Sequence, residues 1–589
     1  MKKHYETHVE DTDKLISVAG PVLDYKSWYE QYRKLMEEQA QRKYGLYTPT
    51  SEGDDDFPSI PGMIARYSAS GLTNEQMKEN PVWVDKTGNG HDLQMKNFLW
   101  GGMSGVNGYV QNFNYFRNNA TVDKVRIDEQ SSNSIKVTLL TSGMGHVIYI
   151  PKDIYQFNKS YFIKISSEGY NEGDLFLSFY APSTSTATTV KVPLNPNGIT
   201  EIPAIKEDDF LAVYLFNAAG KVGSITIEQL PLYPGALVFD GVDDYGTCNN
   251  FPILTKEKGY TVVVLRQWDQ DFLNTTLTGG LLSTRNYSTG EGVAFEKIES
   301  SNKGYWNLGA GGIIDFAKSP FTWQTSKQYN NVGILKGDKN HGKPLCVGCG
   351  LSGGQQCGRF AIWELVFLDH DATEEELTKI KDYFIKTYPW LFPDQAWTVV
   401  GKTNEDEDRA TIANITGNGN DLILSNFGFA RESGYNEQGE YAGYLVTDGV
   451  DDKITSSIFE MGNDWTIIGD WELINTEKKD NAGIVKFNSI VIYNYNPILI
   501  NIKNGRNNLI PDQNTVNAIC SDGRIYSKDW KESIYNEETE STSKNFLTIG
   551  YSGNSYTKIA FKNLAIYPTV LSKEDCIKAY NYLQTLKAK

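Results

Sequence analysis

Two stretches of the chain each place three carboxylates within five residues: Asp240, Asp243 and Asp244 in "FDGVDDY", and Asp448, Asp451 and Asp452 in "TDGVDDK". Carboxylates at that density could ligate Ca2+, a hard cation that gathers about six to eight oxygens. Five residues supply too few ligands for that by themselves. The same residues have a second chemistry. Asp-Gly between short apolar runs is a hairpin signal, and an Asp side chain can accept from backbone N–H groups in its own turn. The stretch reads first as a turn used twice, with the six aspartates kept as calcium candidates.

Other clusters carry less. Cys346, Cys349 and Cys357 in "CVGCGLSGGQQC", with His341 nearby, offer zinc donors at irregular spacing. The chain has six cysteines in 589 residues, too few for a disulfide scaffold, so they read as thiols. "TGNG" occurs twice, at 87–90 and 416–419, but no G-K-[ST] follows it. It is a glycine-rich turn feeding a strand, not a phosphate loop. The six histidines join no Ser-His-Asp or Cys-His arrangement.

The elements that position these residues come in two copies. "DKTGNGHDLQMKNF" (85–98) matches "NITGNGNDLILSNF" (414–427), and the D-G-V-D-D turns follow in both. "AIWELVFLDHDATEEELTKIKDYF" (361–384) then matches "AFKNLAIYPTVLSKEDCIKAYNYL" (560–583). Gly88 to Asp240 is 152 positions and Gly417 to Asp448 is 31, so the first copy is longer by 121. That excess is the size of a small domain.

The predicted insert spans 105–232, and its runs "SYFIKISSEG", "DLFLSFYAP", "FLAVYLFNAAG" and "GSITIEQL" read as short strands of a β-sandwich. The remaining boundaries fall at 1–57 (an N-terminal helical anchor and acidic linker), 58–104 and 233–390 (the first copy, in two parts) and 391–589 (the second). Each copy is mostly β and closes with one helix. Thr373 with Glu376, and Ser572 with Asp575, stand at capping positions. "YPWLFPDQAW" (388–397) reads as a compact joint between the copies. Near the N-terminus, 24–45 reads as one helix with an apolar stripe of Trp28, Tyr32, Leu35, Met36 and Tyr44.

Composition limits the function classes. Apolar residues are 40% and aromatics 12%, a globular and β-leaning balance. A net charge of −17 argues against duplex nucleic acid, whose phosphates call for clustered Lys and Arg. No apolar run is long enough to span a bilayer. The chain opens with Lys2 and Lys3 and no apolar stretch follows them, which is not the pattern of a secretory signal.

With these landmarks in place, each copy resembles a concanavalin A-like (laminin G-like) jelly roll. The resemblance rests on "WVDKTGNGHDL" from Trp83, the hairpin Phe239–Tyr245, and "IAFKNLAIYPTVLSKED" from Ile559. The second copy departs from it, with Thr447 and Lys453 where the family pattern has Phe and Tyr. The resemblance implies a mainly β protein of two jelly-roll sandwiches. The first is interrupted by an insert similar to a carbohydrate-binding-module sandwich, and a short helical segment precedes both.

Some sandwiches of this family are glycoside hydrolases, but their E-x-D-x-x-E strand does not occur here. Asp470 and Glu472 are the nearest carboxylates on one strand face, and their counterparts are Leu265 and Gln267. The expectation is therefore a binding protein without catalytic residues or an obligatory cofactor, Ca2+ aside. Its binding candidates are Trp100, Trp268, Trp306 and Trp323. Tandem domains of this kind resemble tail or head fibre and appendage proteins of phages and prophages of gut Bacteroidales. That resemblance implies a virion protein made in the host cytoplasm. It would be anchored by its N-terminal segment to other virion proteins, homo-oligomeric, and bound to host surface glycans rather than to nucleic acid or membrane. The alternative is a bacterial cell-surface glycan-binding protein or a glycoside hydrolase of the same fold.

Overall fold

The computed structural model describes residues 56–588, apart from 184–187, 255–258, 285–293, 352–354, 438–440, 475–480, 528–529, 535–546 and 553–554. Within 298–343 and 481–515 it describes only the backbone of strands. The helix expected over 24–45, its apolar stripe, and His341 lie outside the described residues. No helix among the described residues is long and apolar enough to cross a membrane.

The protein is mainly β. In the first jelly roll, Arg359–Leu368 runs through the middle of one sheet. It pairs with Thr261–Trp268 on one side, and with Met63–Ser68 and Leu237–Asp240 end to end on the other. The facing sheet includes Leu93–Lys96, Tyr245–Cys248, Leu345–Val347 and Gly279–Ser283. Trp83, Leu93, Phe239, Val262, Val264, Trp268, Phe360 and Ile362 fill the space between them. Thr261–Trp268 is buried on both faces, which explains its uninterrupted "VVVL".

The second jelly roll repeats the plan. Ile559–Tyr567 is central, Thr466–Leu473 lies on one side of it and Gln395–Thr398 on the other. Both central pairs carry a register shift at the matching place, at Leu265/Arg266 and at Asp470/Trp471. Each roll ends in its capped helix, Glu374–Thr387 and Lys573–Gln584. Thr373 and Glu376 form a full capping box, and the Ser572 side chain accepts from the Asp575 N–H.

The insert is a sandwich of its own. Among the described residues one five-stranded sheet runs Val190–Pro193, Leu175–Tyr180, Ala212–Asn217, His146–Pro151, Arg117–Asn118. The other runs Ile199–Ile202, Tyr161–Ser167, Gly223–Gln229, Ser134–Leu139, Val125–Gln130. Every second residue points inward: Leu175, Leu177, Phe179, Val213 and Leu215 from the first sheet, Ile135, Val137, Ile163, Ile165, Ile225 and Ile227 from the second. Each fully buried aliphatic side chain contributes roughly 1.5–3 kcal/mol.

Gly105–Val106, expected to open the insert, belongs instead to the host, paired with Leu237–Val238. The chain leaves and returns at one point. The Tyr233 N–H donates to the Asn107 carbonyl (2.9 Å), and the Leu232 N–H to that of Gly108 (2.9 Å).

A further apolar cluster joins the three bodies. It gathers Phe162 from the insert, Trp363, Ile380 and Phe384 from the first roll, Trp390 and Leu391 from the joint, and Ile468, Ala565, Tyr580 and Leu583 from the second roll. Phe162 meets Tyr580 edge to face at 5.5 Å. Beside them Lys562 lies 3.8 Å from Glu201 of the insert and 3.6 Å from Asp470.

One expectation about the cysteines is corrected. Cys349 and Cys357 are directly opposed on adjacent strands and form a disulfide, whereas Cys248, Cys346, Cys520 and Cys576 are buried thiols. Cross-strand register, which composition does not reveal, brings the pair together. The bond also removes two of the three sulfur donors on which a zinc site would have depended.

Candidate functional site

The repeated carboxylates are built into the hairpins that suggested them. In the first copy, the Val242 N–H donates to Asp240 Oδ1 (2.7 Å), and the Asp240 N–H to Asp244 Oδ2 (3.0 Å). Ser104 Oγ donates to Asp244 Oδ1 at 2.9 Å. The second copy reproduces each bond: Val450 to Asp448 (2.7 Å), Asp448 to Asp452 (2.7 Å) and Ser433 to Asp452 (3.0 Å). Gly241 and Gly449 sit at φ 76° and 75°, where a Cβ would press on Arg359 and Lys558 respectively.

Ligand atoms of Asp240, Asp243 and Asp244 lie within 4.8 Å of one another, as do those of Asp448, Asp451 and Asp452. Burial, and then the Asp240 carboxylate, push Asp244 up to about 8; burial first pushes Asp452 up to about 6. Both shifts run against ionisation, and the hydrogen bonds of Asp244 and Asp452 tie each turn to the stretch that carries Ser104 or Ser433.

The tryptophan candidates do not form a platform. Trp268 is fully buried between Phe272 and Phe360, and Trp100 is 8% exposed and stacked on Phe98 at 4.6 Å. Both are core rings, because the strands and turns that carry them face the first roll's interior. The side chains of Trp306 and Trp323 lie outside the described residues. Asp470 accepts from Tyr444 Oη (3.0 Å) and Gln584 Nε2 (3.1 Å) beside Lys562, so it belongs to the junction with the insert. The "TGNG" turns clamp a neighbouring strand: Asn89 Nδ2 donates to the Ile64 carbonyl (2.8 Å) and Asn418 Nδ2 to that of Asp394 (2.8 Å).

The aromatic surface lies elsewhere, on the insert. In Leu175–Tyr180 the residues alternating with the core are Phe176, Ser178 and Tyr180. In Ala212–Asn217 they include Tyr214 and Phe216. In His146–Pro151 a register shift opposite Leu215/Phe216 absorbs Val147, which turns both His146 and Tyr149 to this outer face. Pairing then sets the side chains in rows across the sheet. One row is Phe176, Phe216, His146; the next is Lys191, Ser178, Tyr214, Tyr149, Arg117.

The rings touch. His146 is 4.5 Å from Tyr214, 5.1 Å from Phe216 and 5.5 Å from Tyr180, and Tyr149 is 5.6 Å from Tyr214. Lys191 reaches across Ser178 to place its Nζ 4.4 Å from the Phe216 ring centre. All six aromatic side chains (His146, Tyr149, Phe176, Tyr180, Tyr214 and Phe216) are half-buried, while Lys191 and Arg117 are exposed. Burial, and then the Lys191 charge, hold His146 below its usual range, so it faces solvent as a neutral ring near neutral pH.

Sequence reading had these strands but not this face. The available signal was aromatic residues at the positions alternating with Leu175, Leu177, Val213 and Leu215, where a solvated sheet face would carry polar residues.

No protein-family model matches the chain, and no curated protein matches it. Solved structures that align with it include the binding domain of botulinum neurotoxin serotype D, at 11% identity over 58% of this chain and 89% of that one, with a TM-score of 0.23. The serotype D ligand binding domain in complex with N-acetylneuraminic acid aligns at 10% identity over 56% and 87%, TM-score 0.20. Trypanosoma rangeli sialidase in complex with sialic acid aligns at 8% identity over 76% and 82%, TM-score 0.18. At these scores the likenesses carry no argument about this chain, and its mainly β architecture stands on its own strands.

Proposed function

We propose that this protein binds glycans through the outer aromatic face of its inserted sandwich. The observation that carries the reading is the set of six half-exposed rings in register on one rigid sheet. A sugar ring has an apolar C–H face that packs on an aromatic ring, and hydroxyl edges that hydrogen-bond to Tyr and His. A surface of mutually packed rings with polar tips supplies both. A contiguous exposed aromatic patch of this kind is the mark of a contact site.

The face requires no chemistry of its ligand, and the protein's role is attachment, not catalysis. In the wider proposal the chain is a virion appendage whose N-terminal segment joins other virion proteins while the sandwiches meet a host surface. The landmark stretches and the apolar stripe from Trp28 to Tyr44 support that part.

The test is a glycan array probed with the full chain and with the Tyr149→Ala/Tyr214→Ala variant. Each stacked ring contributes roughly 1–1.5 kcal/mol, so the double variant should bind about a hundredfold more weakly with unchanged circular dichroism. Undiminished binding by the variant removes the aromatic face from the proposal. Removing residues 1–57 should leave glycan binding intact and prevent incorporation into particles; normal incorporation would refute the virion role of that segment.

A further inference from the structure

We infer that the aromatic face takes a negatively charged glycan, one bearing carboxylate or sulfate groups, with Lys191 and Arg117 as its two cationic contacts. This inference rests on the glycan reading above and specifies its ligand.

Three observations carry it. The first is the distribution of charge. The chain has 73 acidic and 56 basic residues, yet the five strands of the aromatic sheet contain no acidic residue at all; their charged side chains are Arg117 and Lys191. The other sheet of the same sandwich carries Asp128, Glu129, Glu201 and Glu228. Acidic groups in the flanking loops are partly neutralised, Asp174 by Lys221 at 2.6 Å and Glu207 by Lys152 at 3.7 Å, while Asp208 and Asp209 stand at the end away from His146. A chain with net charge −17 repels anionic polymers in general, so an acid-free sheet bearing two cations is where one can approach.

The second is position. Lys191 and Arg117 are the two ends of a single cross-strand row whose middle members are Ser178, Tyr214 and Tyr149. Four strand spacings separate them, about 19 Å. That span suits an oligosaccharide lying across the strands, with rings beneath its sugars and a cation at either end.

The third is the Ser178 hydroxyl. Ser178 is 1% exposed on the ligand side of the sheet, and among the described residues its Oγ has no hydrogen-bond partner. Lys191 reaches over it toward Phe216. A ligand carboxylate or sulfate would draw the Lys191 ammonium off the ring, exchanging a cation–π contact for a charge-assisted hydrogen bond. The same movement uncovers the Ser178 hydroxyl for a sugar oxygen.

The experiment compares a polyuronate, its carboxyl-reduced counterpart and a sulfated polysaccharide by calorimetry on the full chain at low and high salt. The expected result is binding of at least one anionic polymer about tenfold or more tighter than the reduced one. That preference should shrink as salt rises, fall severalfold in Lys191→Gln and in Arg117→Gln, and return in Lys191→Arg. Equal affinity for the native and reduced polymers overturns the inference, as does a preference that survives both glutamine variants. Binding confined to neutral glycans overturns the inference and leaves the glycan reading standing. Absence of binding to every glycan class removes both. A preference for the sulfated over the carboxylated polymer, or the reverse, assigns which anion the two cations meet.

Discussion

The two sheets of the inserted sandwich share a plan of five strands with aliphatic residues turned inward, yet their outer faces have opposite fates. On the Tyr161–Ser167 side, Phe162 is covered by Tyr580, and Glu201 reaches Lys562 of the second roll. On the Leu175–Tyr180 side, five rings pack on one another, Phe176 stands in the same row as Phe216, and all six stay half open to solvent. An aromatic side chain on a sheet face therefore says little until its neighbours are known. Phe162 serves docking because it stands alone beside a carboxylate that meets a lysine. On the glycan reading, the rings from His146 to Phe216 are left for a ligand because the opposite face already holds the insert in place.

The comparison can be broken from either side. Phe162→Ala should have the largest effect on stability, with about 3 kcal/mol lost in denaturant titration and glycan affinity unchanged, because it empties a buried interdomain contact. Tyr149→Ala/Tyr214→Ala should do the reverse, lowering affinity about a hundredfold with about 1 kcal/mol or less lost in stability, since both rings are half-exposed. A double variant that unfolds the insert would show that the rings are structural.

Glu201→Gln should cost about 1 kcal/mol, because Lys562 keeps Asp470 at 3.6 Å. Its effect should vanish in a chain lacking Lys562, as a double-mutant cycle would record.

The smallest effects lie in pH. His146 holds its proton less tightly folded than unfolded, through burial and then the Lys191 charge, with Tyr180, Tyr214 and Phe216 packed around it. Its contribution to stability is present above its unfolded value near 6.5 and is lost as pH falls below it. Lys562 has the opposite sign. Burial opposes its charge, but Glu201 and Asp470 raise its pKa overall, so its contribution holds below about 10.5 and is lost as pH rises beyond. Stability profiles of the parent chain, His146→Gln and Lys562→Met should diverge at the acid and alkaline ends respectively.

Much of the fold could be read from residues whose roles are local. Asp-Gly and Thr-Gly-Asn-Gly report turns because glycine alone relieves the positive φ there, and Thr373 with Glu376 reports a helix start because capping involves neighbours in sequence. The insert was visible as an interval between landmarks. Its first residues were misassigned because the pairing of Gly105–Val106 with Leu237–Val238 is long-range. The disulfide and the aromatic face were hidden for the same reason. Cys349 meets Cys357, and Tyr214 meets Tyr149, only through register. Tryptophan type was a poor guide to exposure, since Trp268 lies on a strand buried on both faces.

The chain's exit and return at Asn107 and Tyr233 put the two ends of the sandwich side by side, bridged by main-chain hydrogen bonds. The whole sandwich can therefore be exchanged in one recombination event, with the rolls around it unaltered. On the glycan reading, the ligand of the sandwich would then evolve at a different pace from the rolls that carry it.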